Sequence, residues 1–258
     1  MINTIIFDLD DTLLWDEKSV AEAFKKTCAI AEKTYGIDPY LLEDKVKDNA
    51  RSLYASYDTF EFTKKIGINP LEGLWGEFHD EGDSFHKLRD IAPNYKKEAW
   101  TRGLLDVGID DNHIATELAE RFPQERRNNP FVFDDTFQVL HQLKEDYQLL
   151  LLTNGSPDLQ RTKLELTPNL QDFFNHVVIS GDFGSGKPDP AIFEYALSLL
   201  SVDKDEAIMV GDNLHTDILG ATRTGIKSVW VNRKKNEQPE NVSPSYEITG
   251  LEDILTII

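Results

Sequence analysis

The chain has 258 residues, 40% of them apolar, enough to bury a substantial interior as one large domain or as a core carrying an insertion. Its 46 acidic against 27 basic side chains give a formal charge of -19, which argues against nucleic acid and anionic membranes as partners, because phosphate backbones are bound by clustered Lys and Arg. The single cysteine, Cys28, excludes an internal disulfide and gives no sign of an oxidising compartment, so a cytoplasmic location is expected.

From the amino terminus, Met1 to Asp8 shows no basic segment ahead of an apolar stretch, so no signal peptide is expected. Thr4 to Leu9 is a short apolar run of the kind that forms a strand buried on both faces of a parallel sheet. Asp16 to about Pro130 breaks that pattern. Ala21 to Tyr35, Tyr40 to Tyr57, Ala92 to Leu105 and His113 to Arg121 have helical spacing, with Gly36, Pro39, Pro70, Pro93 and Pro123 as punctuation. This predicts an α-helical cap, residues 16–129, inserted into a core made of residues 1–15 and 130–258. Within the cap, Cys28 reads as a buried residue of the first helix and Trp75 and Trp100 as core residues. Arg121, Arg126 and Arg127 read as a solvated exit from the cap.

Beyond Pro130, strand and helix alternate. Phe137, Leu140 and Leu143 share one helical face, followed by strands at Gln148 to Thr153 and His176 to Ser180. Ile192, Ala196 and Leu199 mark a helix with Pro190 in its first turn, and Ala207 to Val210 is the next strand. Ile218 and Ala221 predict a helix stopping at Gly225, before a strand at Ser228 to Asn232. A polar loop, Asn236 to Ser245, leads to a short strand, Tyr246 to Ile248, and a helix from Leu251. Such alternation predicts a parallel sheet with right-handed crossovers, a Rossmann-like three-layer α/β/α core. No fully apolar run is longer than Leu149 to Leu152, far short of the roughly 20 residues that span a bilayer.

Chemistry-bearing residues gather where the strand-like runs stop, at the sheet edge where open α/β folds bind ligands. The segments are Phe7-Asp8-Leu9-Asp10-Asp11-Thr12, Leu152-Thr153-Asn154-Gly155, Gly186-Lys187-Pro188-Asp189-Pro190 and Gly211-Asp212-Asn213-Leu214-His215-Thr216-Asp217. Carboxylates brought together there require a cation, since like charges raise one another's pKa, and hard oxygen donors suit Mg²⁺. Asp8 is the candidate nucleophile and Asp10 the candidate acid/base, because Asp-x-Asp sends both side chains to one side of a strand end. The Thr153 hydroxyl can bind a phosphoryl oxygen, with backbone N–H groups around Asn154 as an anion cradle. Lys187 would neutralise charge growing on the transferred group. Asp212 suits direct metal coordination, and Asp217 suits a supporting role toward the metal-bound water, Lys187 or the loop. His79, His86, His113, His141 and His176 show no metal-ligand spacing, and His215 reads as a solvent-facing helix start.

In this order the segments resemble motifs I to IV of the haloacid dehalogenase-like (HAD) hydrolase superfamily, over Met1 to about Asp16 and Asn129 to Ile258. The position of the insertion is that of the family's helical-cap class. The resemblance implies that Asp8, Asp10 and Asp212 hold Mg²⁺, Asp10 through its backbone carbonyl, and that Thr153 and Lys187 contact the phosphoryl group. Family dehalogenases lack the acid two residues after the nucleophile, so Asp10 implies a phosphatase acting through an aspartyl-phosphate on a small soluble metabolite. Phosphoserine, a nucleoside monophosphate and a sugar phosphate are the substrate candidates. The stretch containing Trp230-Val231-Asn232 and Glu237-Gln238-Pro239-Glu240 is similar to that of family pyrimidine 5'-nucleotidases. Substrate choice is expected to reside in the cap and in Leu13 to Asp16. A phosphomutase would share the motifs, and a non-catalytic regulatory protein on the same fold is the rival from another class.

Overall fold

A computed structural model of the chain describes residues 1–238 and 241–258. Among these, six strands form one fully parallel sheet in the order β3-β2-β1-β4-β5-β6. They are β1 (Thr4–Phe7), β2 (Gln148–Thr153), β3 (His176–Ile179), β4 (Ala207–Gly211), β5 (Lys227–Val231) and β6 (Tyr246–Ile248). The two-residue period of a strand divides their apolar residues between two cores. Ile5, Phe7, Leu149, Leu151, Ile208 and Val210 face one side, and Ile6, Leu150, Leu152 and Met209 the other. The run of four leucines is therefore a strand covered on both faces.

Between β1 and β2 lie α1 (Asp16–Tyr35), α2 (Pro39–Ser56), α3 (Phe60–Ile66), α4 (Pro70–Gly73), α5 (Asp83–Asp106), α6 (Asn112–Asn128) and α7 (Thr136–Leu143). The helices α1 to α6 bury a core of their own around Phe24, Cys28, Val46, Tyr95, Trp100 and Phe122, with Trp75 among them. Two prolines expected as breaks lie inside helices: Pro93 within α5 and Pro123 within α6. In α5 both Pro93 and Arg89, four residues earlier, are exposed, so the lost hydrogen bond falls on the solvent side of the helix. The opposite face, with Phe85, Leu88, Ala92 and Tyr95, packs continuously and holds the helix through the proline.

The remaining helices are α8 (Pro157–Glu165), α9 (Ser180–Phe183), α10 (Pro190–Leu200) and α11 (Leu219–Thr224). α7 covers one face of the sheet through Val139, Leu140 and Leu143, and α10 the other through Ile192, Phe193 and Ala196. Gly225 ends α11, and the segment from Leu251 is a 3-10 helix, Leu251–Thr256, rather than an α-helix. Among the described residues no helix is long and apolar enough to cross a membrane.

The helical insertion rests on the carboxyl edge of the sheet. Gly155 N–H donates to the Ile66 carbonyl at 3.0 Å and Gly186 N–H to the Lys65 carbonyl at 2.9 Å, tying the end of α3 to the loops after β2 and before α10. Asp80 accepts the Asp158 N–H at 2.7 Å, so the start of α8 is tied to the insertion as well.

Candidate active site

β1 delivers Asp8 to the sheet edge, where it is 7% exposed. One carboxylate oxygen accepts from Lys187 Nζ at 2.6 Å and the other from the Thr12 hydroxyl at 3.2 Å. Lys187 is buried, and its ammonium also meets the Leu152 carbonyl at 2.7 Å and Asp217 Oδ1 at 2.7 Å. Burial opposes its charge, but Asp217 and Asp8 outweigh that and hold its pKa above the ordinary lysine value. The backbone of Lys187 is clamped in turn. Asn154 Nδ2 donates to its carbonyl at 2.9 Å, and its N–H donates to Asn154 Oδ1 at 2.8 Å. The Asn154 side chain therefore acts on Lys187, and because the Gly155 N–H is committed to the Ile66 carbonyl, any anion cradle in this turn is reduced to the Asn154 N–H.

β4 delivers Asp212. Its N–H donates to the Thr12 hydroxyl at 3.0 Å, and its carbonyl accepts from Trp230 Nε1 at 2.8 Å. Asp217, fully buried, accepts the Asn213 N–H at 3.1 Å and so closes its own loop while pairing with Lys187. Oxygens of Asp8, Asp212 and Asp217 lie within 4.8 Å of one another. Burial pushes the Asp8 carboxyl up to about 6, with Lys187 opposing and Asp217 adding to the rise. Burial, then Asp8 and Asp217, push Asp212 up to about 9. Ionised together, three carboxylates beside one ammonium would leave negative charge uncompensated, and their hard oxygens fit Mg²⁺.

The Asp10 carboxylate turns away from that cluster. Its Oδ2 accepts from Gln160 Nε2 at 2.9 Å and from Lys163 Nζ at 2.8 Å. Burial raises its pKa, with Lys163 opposing. The expected contact of Asp10 with a metal through its backbone carbonyl leaves the side chain free for this separate role. Thr153 Oγ1 accepts from the same Gln160 nitrogen at 2.6 Å. Asp11 sits at a φ of 59, where aspartate is better tolerated than most residues, and accepts the Glu17 N–H at 2.9 Å. Burial pushes its carboxyl up to about 7.

Sequence reasoning missed the residues that join the insertion to this site. Lys163, 5% exposed, bridges Asp10 to Glu72 of α4 at 2.9 Å and lies 3.9 Å from Asp16. Arg126 corrects the expectation of a solvated exit. It is 4% exposed, pairs with Asp16 at 2.7 Å, donates to the Ser19 hydroxyl and lies over Trp75. α6 runs on past Pro123 to Asn128, which turns Arg126 inward to a waiting carboxylate, whereas Arg121 and Arg127 stay near solvent on Glu125 and Glu77. Nothing distinguishes Gln160 and Lys163 in sequence except their three-residue spacing behind the Ser156-Pro157 helix start.

A cleft of about 470 Å³ opens between the motif I turn and the insertion, lined among others by Asp11, Glu17, Lys47, Arg51, Leu71 and Trp75. Leu13 is fully buried in the sheet core, so the part of Leu13 to Asp16 that reaches this cleft is Asp16. His215 is exposed, as expected of a helix start. Pro239 and Glu240, part of the stretch similar to nucleotidases, lie outside the described residues.

The haloacid dehalogenase-like hydrolase family matches residues 2–225 of the chain. The phosphoserine phosphatase of Thermus thermophilus is 33% identical over 253 residues, covering 97% of this chain and 96% of that protein. The glyceraldehyde 3-phosphate phosphatase of Pyrococcus furiosus is 40% identical over an alignment of 265 residues, covering 100% of this chain and 93% of that protein. Among solved structures, a HAD phosphatase from Thermococcus onnurineus is similar with a TM-score of 0.60 at 29% identity, covering 99% of this chain and 97% of that one.

Proposed function

The chain belongs to the haloacid dehalogenase-like hydrolases, and on that premise we propose that it is a Mg²⁺-dependent phosphatase of a small phosphorylated metabolite. The observation that carries the reading is the meeting of Asp8, Asp212, Asp217 and Lys187 at one sheet edge, with a second carboxylate, Asp10, held apart from them. Asp8, Asp212 and the Asp10 carbonyl would hold the metal, with Asp217 supporting. Bound there, Mg²⁺ supplies charge neutralisation that lets an anionic nucleophile approach an anionic phosphate.

The chemistry proceeds in two displacements. Asp8 attacks phosphorus, the bond to the leaving oxygen breaks, and Asp10 gives that oxygen its proton. Lys187, the Thr153 hydroxyl and the Asn154 N–H offset the charge on the phosphoryl oxygens. Water then attacks phosphorus, Asp10 recovers a proton from it, and inorganic phosphate leaves with Asp8 restored. The insertion, acting as a cap over residues 16–129, excludes bulk water during the first displacement. Two relatives aligned over nearly the whole chain are named for phosphate esters of three-carbon compounds, which supports a small leaving group.

A panel of phosphoserine, triose and sugar phosphates, pyrimidine nucleoside monophosphates and p-nitrophenyl phosphate, assayed with Mg²⁺, tests the proposal. We expect the small esters to be hydrolysed and Asp8→Asn to abolish turnover of every member while the protein stays folded. Unchanged activity in Asp8→Asn would remove Asp8 as the nucleophile. Turnover of a halo-acid with none of the esters would replace the phosphatase reading by a dehalogenase.

A further inference from the structure

Gln160 and Lys163 stand on one face of α8, three residues apart, and both act on groups that the phosphatase reading places in the chemistry. Gln160 is fully buried. Its amide is oriented by charge, since a carboxylate oxygen at 2.9 Å requires the nitrogen to face Asp10. That same nitrogen donates to Thr153 Oγ1 at 2.6 Å. Asp10 Oδ2 thus receives two donors, an amide N–H and the Lys163 ammonium, whereas Asp10 Oδ1 is buried with no partner. A proton on Oδ2 would face both donors head-on, and on Oδ1 it meets no donor.

We propose that Gln160 and Lys163 are positioning residues that make Oδ1 of Asp10 the proton-delivering oxygen and turn the Thr153 hydroxyl toward the phosphoryl group. The hydroxyl follows from the same contact. With its oxygen accepting from Gln160, its own proton has only a contact at 3.5 Å to the Asn154 carbonyl and is free to be donated. Gly155 makes room for the arrangement. At a φ of 144 it packs so closely that a Cβ there would come within 3.1 Å of the Gln160 amide carbon. Lys163 is fixed from the other side by Glu72 at 2.9 Å, so the insertion helps to aim the acid.

The inference rests on Asp10 being the acid, and the test separates the two. Protonation matters for an alkyl leaving group and little for p-nitrophenolate, which departs as a stable anion. kcat/KM, which reports the steps up to leaving-group departure, is measured for p-nitrophenyl phosphate and for the fastest alkyl phosphate of the panel. In Gln160→Met, which fills the space but lacks the amide, kcat/KM for the alkyl ester is expected to fall about tenfold or more beyond its fall for the aryl ester. Should Gln160→Met fail to fold, Gln160→Asn, which withdraws the amide by one methylene, carries the same expectation. An equal fall for both esters, or no fall, overturns the inference. Asp10→Asn is the control: a shifted ratio there with none in the Gln160 variant rejects the inference alone, and an unshifted ratio there rejects Asp10 as the acid and the inference with it.

Discussion

Cys28 lies fully buried on α1 among Phe24, Ala31 and their neighbours, and burial, with Glu43 adding, pushes its thiol up to about 12. Only the thiolate is a nucleophile, so a buried thiol with so high a pKa is inert at neutral pH. In the native protein Cys28 should fail to react with Ellman's reagent, and the full thiol should appear only in denaturant; rapid native labelling would contradict the packing. The burial of Cys28 was legible from its place on an apolar helix face. The site divides differently. Asp8, Thr153, Lys187, Asp212 and Asp217 stand out because each lies in a short motif; four of these lie at or soon after a strand end, but Lys187 lies beyond α9, well after β3 has stopped at Ile179, and the structure joins Asp8, Lys187, Asp212 and Asp217. Gln160, Lys163 and Glu72 carry no local mark: their roles depend on α4 and α8 meeting across a sequence gap of about ninety residues. A single chain read for periodicity cannot show which lysine loses its water, and Lys163 becomes significant only through the burial that places three carboxylates near it.

Among the elements, the strands were the most legible, because a strand buried on both faces needs a continuous apolar run and few other segments supply one. β2 and β6 match their expected limits, and β1 stops at Phe7, short of Leu9, where the chain turns to present Asp8 and Asp10. Helix limits were less legible because tertiary packing overrides the local signal of a proline, as at Pro93. Packing also decides a contest at Gly103 in α5. Alanine there would gain about 1 kcal/mol of helix propensity. Its Cβ, however, would press on the Val46 side chain and come within 3.1 Å of the Val46 Cα in α2. Backbone in the middle of a packed helix cannot swing aside, so the clash prevails and Gly103→Ala should destabilise by about 1–3 kcal/mol. A lower urea midpoint with an unchanged slope is the expected result, and a raised midpoint would show that the two helices can separate at little cost.

At the scale of the molecule, the missing strands between Asp16 and Pro130 told where the insertion begins, but its docking onto the sheet edge was beyond the reach of local pattern. The crowded sheet edge has an electrostatic consequence of its own. Desolvation there pushes carboxylate pKa values up to about 6 at Asp8, about 7 at Asp11 and about 9 at Asp212, from an ordinary 3.8. Between 3.8 and these values the folded state binds protons that the unfolded state has released, so their contribution to stability falls as pH rises. The metal-free protein should therefore lose melting temperature from about pH 4 toward pH 9 on account of these groups. A divalent cation reverses the preference, because it binds the ionised carboxylates of the folded state and has no such cluster in the unfolded chain. Mg²⁺ should consequently raise Tm more at about pH 8 than at about pH 5, and Asp212→Asn should reduce that difference. Equal shifts at both pH values, or no shift, would mean that Asp8 and Asp212 do not share a cation.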